Sequence, residues 1–129
     1  MAPPVIPERV LAFVRERIDS VPELEALLLL SGDPAKSWTA AEVASRIYVR
    51  EDRAAAILAV LQRRRLAAPV DDRSDHYAFQ PADQDARQLI DELDRAYRSN
   101  LIALATFIHE KAPVSVREFA RAFDLKKER

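Results

Sequence analysis

"SWTAAEVASRIYVREDRAAAILAVLQRRRL", residues 37–66, reads as two short helices that meet at a corner and end in three arginines. Thr39 is placed to cap the first helix and Glu42, three residues on, to return a carboxylate to the cap. Trp38, just before the cap, is positioned either to staple onto Val43 or to stack on a base. Val43, Ala44 and Ile47 give the first helix its apolar face, "YV" breaks the period, and Ala54, Ile57, Leu58 and Leu61 resume it in a second helix.

Upstream, after "MAPPVIP", Leu11, Val14 and Ile18 recur at helical spacing within residues 8–19. Ser20 with Glu23, and Pro22 in the first turn, open a helix through "ELEALLLLS" that Gly32 and Pro34 close. Leu27 to Leu30 cover most of its circumference, so it is either central in a core or half of an interface.

Downstream, "LAAPV", "DDRSD" and "HYAFQ" alternate extended, polar and extended, and predict a β-hairpin over 66–80. Pro81 and Asp83 then open a long pattern in which Ala86, Ile90, Leu93, Tyr97, Leu101, Leu104 and Ile108 recur every three or four residues. Read as one helix of about 27 residues, it would run roughly 40 Å. Such a helix exceeds a small domain, so its outer half, with Tyr97, Leu101, Leu104, Phe107 and Ile108, is expected to bury against a second subunit or against the last helix. That last helix is predicted from Ser115, with Glu118 completing its capping box, Val114 stapling to Phe119, and Val116, Ala120 and Phe123 on its apolar stripe.

Composition bounds the rest. The 129 residues are 49% apolar and 32% charged, enough for one core, and a single glycine, Gly32, favours helices over a sheet with many tight turns. The absence of cysteine excludes disulfides and thiolate metal sites. No uninterrupted apolar run comes near the 20 or so residues that span a bilayer, and the expected location is cytoplasmic. Net charge is −1, so global basicity does not announce a nucleic-acid partner, but residues 50–65 hold five basic side chains against two acidic ones.

The order of helices, hairpin and long helix resembles a winged helix-turn-helix domain of bacterial transcription regulators over roughly residues 20–80. The helix-turn-helix pattern wants five apolar positions and one small one, and with the unit begun at Ala40 these hold Val43, Ile47, Val49, Ala54 and Ile57, with Ala44 at the small place. Tyr48 departs from the glycine of older members at the turn. The long helix with a helix after it is similar to the dimerisation elements of multiple-antibiotic-resistance-type regulators, and the chain is also similar to uncharacterised bacterial winged-helix proteins. The expected fold is therefore mainly α: an N-terminal helical extension (1–19), a winged helix-turn-helix core with a two-stranded wing (20–81), and a long helix plus a short terminal helix as a dimerisation element (82–129).

The resemblance implies that the second helix enters a major groove and that the first turns, with Arg50, Glu51, Asp52, Ala55, Ala56 and Ala59, reach base edges. Arg50 and Arg53 would lie near bases, Arg63, Arg64 and Arg65 and the wing's Arg73 on phosphates, and Tyr48 would either touch a phosphate through its hydroxyl or fill the space a glycine leaves. Asp52 and the acidic "DDRSD" tip oppose phosphate, and the three arginines could instead complement the helix dipole. The expected activity is non-enzymatic DNA binding by a homodimer. The rival is a protein-interaction adaptor that uses the alanine-rich face and acidic wing against a basic partner. No catalytic residue, cofactor or metal is called for: Asp71, Asp72, Asp75 and His76 are the residues a hairpin turn favours, without the glycine and closing glutamate of a calcium loop, and His109 is solitary.

Overall fold

A computed structural model describes residues 6–70 and 73–111 of the chain. Helices α1 (Glu8–Arg17) and α2 (Val21–Gly32) are followed by a two-residue strand β1 (Trp38–Thr39), α3 (Ala40–Ile47) and α4 (Glu51–Arg63). Strands β2 (Ala67–Val70) and β3 (Arg73–Phe79) form the hairpin, and α5 (Gln84–Ser99) and α6 (Leu101–Lys111) close the described chain.

The helix starts are set by the side chains that mark them in the sequence. Thr39 Oγ1 accepts the Glu42 N–H at 3.2 Å while Glu42 Oε1 accepts the Thr39 N–H at 3.0 Å, a complete capping box. Ser20 Oγ accepts the Glu23 N–H, but the Glu23 carboxylate takes the Asp19 N–H instead of closing the box on Ser20. Asp83 caps α5 through the Ala86 N–H at 2.8 Å.

The sheet has the order β1-β3-β2, antiparallel throughout, with Trp38 opposite Tyr77 and Ala67 opposite Phe79. The wing is thus a hairpin with a third, two-residue strand on its inner edge. Pro69 sits in β2, at the sheet edge where its missing N–H breaks no interior ladder.

Among the described residues, the buried apolar side chains fall in one cluster. α2 is its centre: Leu24, Ala26, Leu27 and Leu30 are buried, Leu28 and Leu29 are half-buried, and the helix packs on α3, α4, α5, α6 and β3. Each buried leucine contributes about 1.5–3 kcal/mol of transfer free energy. Of the two roles open to the leucine run, the core role is the one it fills. α1 adds Val10, Phe13, Val14 and Ile18 to the same cluster, and the six helix-turn-helix positions all face it, five buried and Val49 half-buried.

The long C-terminal pattern departs from a single straight helix. α5 stops at Asn100 (φ −139°, ψ 46°), whose carbonyl then accepts the Leu104 N–H and starts α6. The break lets α6 pack back on α1, α2 and α5, so Leu104 and Ile108 are buried in the chain's own core, not held out for another subunit. Leu101 and Ile102 remain outside, 50% and 80% exposed. The helix expected from Ser115 lies outside the described residues.

Candidate nucleic-acid interface

The corner between α3 and α4 is made without glycine. Tyr48 ends α3 in the left-handed region (φ 61°, ψ 47°), its N–H and that of Val49 both donating to the Ala44 carbonyl. An L-residue there costs about 1–2 kcal/mol. Tyr48 recovers almost none of this by packing, because the residue is 92% exposed, so its ring does not fill the space of the missing glycine. Arg65, one residue past the C-cap of α4, is the other non-glycine residue at positive φ among the described residues, at 60°, with the Leu66 N–H on the Leu61 carbonyl at 2.9 Å.

From this corner α4 runs with Ala54, Ile57, Leu58 and Leu61 inward and Glu51, Asp52, Arg53, Ala55 and Ala56 outward. Ala59 is half-buried and sits at the margin of the outer face. Arg50 is the N-cap, with an 87% exposed side chain whose Nε lies 3.2 Å from Asp52 Oδ1. The same Asp52 oxygen accepts the Arg53 N–H at 3.0 Å. Asp52 therefore serves the helix start, where an acid complements the dipole, and partly neutralises Arg50. Tyr48, Arg50 and Arg53 are all exposed, and Arg50 lines a shallow cleft with Ala40, Glu51, Asp52 and Ala55.

The three arginines divide. Arg63 and Arg65 are exposed, about 20 Å from Arg50 given the rise of a 13-residue helix. Arg64 turns inward to the α1–α2 junction: its Nη1 donates to Glu23 Oε1 at 2.9 Å and to the Arg17 carbonyl, and its Nη2 to Asp19 Oδ2 at 2.7 Å. Arg17 Nη1 in turn donates to the Arg64 carbonyl at 2.7 Å. Sequence reasoning missed this set because its partners lie 41 to 47 residues apart, and Glu23 already had a local explanation at a helix start.

In the wing, Arg73 opens β3 opposite Val70, and Asp71 and Asp72 lie outside the described residues. His76 Nδ1 is 3.0 Å from Asp75 Oδ1. Trp38 is 3% exposed, with Lys36 Nζ 4.6 Å and the Arg46 guanidinium 5.7 Å from its ring centre. Burial removes it as a base-stacking group. His109 is exposed near the end of α6. Among the described residues, no group of three or more His, Asp or Glu side chains is placed to hold a metal, and no helix is long and apolar enough to cross a membrane.

Two helices packed at a tight corner, a third helix beneath them and a hairpin beside them define a winged helix-turn-helix. Its backbone is similar to that of a MarR family protein of Mycobacterium tuberculosis, Rv2887, with a TM-score of 0.52 and 20% identity over 93% of this chain and 83% of that one. Rv1404 of the same organism aligns with a TM-score of 0.48 and 17% identity over 92% and 80% of the two chains. No family model and no curated protein matches the chain.

Proposed function

We propose that this chain is a non-enzymatic, DNA-binding transcriptional regulator that acts as a homodimer through residues 82–129. The observation that carries the reading is the exposed group at the start of α4. All six packing positions of the helix pair face inward, while Tyr48, Arg50 and Arg53 stand on the solvent face that would enter a major groove. Arg50 and Arg53 donate to bases, with Arg50 exchanging Asp52 for a guanine edge. Tyr48, Arg63, Arg65 and the wing's Arg73 meet phosphates, Arg63 and Arg65 doing so where α4 lies along the groove. Arg64, with its donors engaged inside the chain, supports the contact instead of making it. The exposed Leu101 and Ile102 of α6 support the dimer.

A mobility-shift titration of the full chain against genomic fragments at low salt tests the reading: wild type binds, and Arg50→Ala with Arg53→Ala weakens binding. No shift, or a shift indifferent to the two substitutions, contradicts it. One observation favours a protein-interaction adaptor instead, namely that Asp52 occupies Arg50 and the adjoining surface is acid and alanine. An intact fold that binds no duplex at low salt would favour that second reading.

A further inference from the structure

Two helices end at one point: α1 at Arg17, and α4 at Arg63 with Arg64 as its C-cap. Converging C-termini bring two negative dipole ends and their unmet carbonyls together, which is unfavourable unless cations intervene. Here each helix supplies the cation for the other. Arg64 donates to the Arg17 carbonyl and Arg17 to the Arg64 carbonyl, and Arg64 is further held by Asp19 and Glu23 with its side chain only 24% exposed. The planar guanidinium serves three acceptors in fixed directions, which an ammonium does not match. At the other end of α1, Arg9 Nε lies 2.7 Å from Glu92 Oε2 and Arg9 Nη2 3.7 Å from Asp85 Oδ1, both on α5. Arg15 lies over the Phe107 ring of α6. α1 is thus fastened to α5 and α6 along its length and to α4 at its end.

We propose that Arg64 is a positioning residue for the nucleic-acid contact: the crossed arginine–carbonyl latch fixes the inclination of α4. The inference rests on the reading that α4 meets DNA, and it separates Arg64 in kind from Arg63 and Arg65. A phosphate contact contributes to the salt dependence of binding, whereas a residue that only orients the helix contributes to affinity alone.

The experiment uses the full chain and a mixed-sequence duplex of about 30 base pairs, roughly three helical turns, titrated by fluorescence anisotropy between about 50 and 200 mM salt. Arg64→Gln is expected to lower affinity at least fivefold and leave the slope of log K against log salt unchanged. Arg63→Gln is expected to reduce that slope by about 1. Arg64→Lys is expected to restore less than half of the loss on a logarithmic scale. Hydrogen exchange gives the independent readout: the Ile18 and Leu66 amides, which close the last turns of α1 and α4, exchange at least tenfold faster in Arg64→Gln, with α3 unchanged. If Arg64→Gln does not fold, Asp19→Asn, at a 56% exposed position, is expected to shift both readouts in the same direction by about two- to threefold. An altered salt slope for Arg64→Gln, or unaltered affinity, overturns the latch while leaving DNA binding in place. Failure of the wild type to bind any duplex removes the DNA reading, and the positioning role with it.

Discussion

Replacing Tyr48 by glycine should make the protein more stable. The residue sits at φ 61° and is 92% exposed, so the substitution removes an unfavourable backbone state and almost no packing. Relief of the left-handed penalty is worth about 1–2 kcal/mol. The extra freedom of glycine in the unfolded chain returns about 0.5–1 kcal/mol. The net expectation is a gain between about 0 and 1.5 kcal/mol, centred at about 0.8, or roughly 2–4 °C in melting temperature at the centre for a chain of this size. Urea unfolding followed by circular dichroism measures it, with the midpoint rising and the m-value unchanged. The same variant should bind duplex less tightly, because the strain is retained at a surface position whose exposed hydroxyl has no packing role. A loss of 1 kcal/mol or more on Tyr48→Gly would refute the reasoning, since it would mean the ring makes contacts that the exposed geometry denies.

Other outcomes follow from the caps and from α6. Thr39→Ala should cost about 1 kcal/mol in chemical denaturation, the usual loss for an N-cap. Glu42 is held below the ordinary carboxylate value of 4.5, first by the Thr39 N–H and then by Lys36. A depressed folded pKa means that its stabilisation is complete above the unfolded value and is lost as pH falls through the folded one. The stability difference between wild type and Glu42→Gln should therefore be flat from neutral pH down to about 5 and shrink under more acid, and a difference that shrank between pH 8 and 6 would contradict the assignment. Ile102→Glu, at an 80% exposed position, should leave the unfolding free energy within about 0.5 kcal/mol of wild type when the two are compared at dilutions where both are monomeric. In sedimentation velocity it should shift the chain toward monomer, and an unshifted dimer would move the interface elsewhere.

What the sequence discloses here is what is local. Thr39 and Glu42 are three residues apart and fix the start of α3 by themselves, and the inward face of the helix pair follows from spacing alone through Val43, Ile47, Ala54 and Ile57. The break at Asn100 does not show, because the apolar period runs on in phase through Tyr97, Leu101 and Leu104. The turn is made by one residue's backbone and not by a change of pattern. Strand β1 is hidden for another reason: two residues cannot display alternation, and the partner that defines them, His76–Tyr77, lies nearly forty positions away. "RRR" shows the limit for the candidate site. Three identical neighbours read alike, yet helical rotation and the distant acids Asp19 and Glu23 turn Arg64 inward and leave Arg63 and Arg65 outside.

The central claim is that the start of α4 is a DNA-reading surface, and a salt-resolved titration of one selected duplex tests it most directly. The claim predicts that affinity falls steeply between about 50 and 200 mM salt. It also predicts that Arg53→Ala costs about 1–3 kcal/mol against the selected duplex and much less against a scrambled one. Equal losses on both duplexes, or no binding by a folded wild type at low salt, would contradict it.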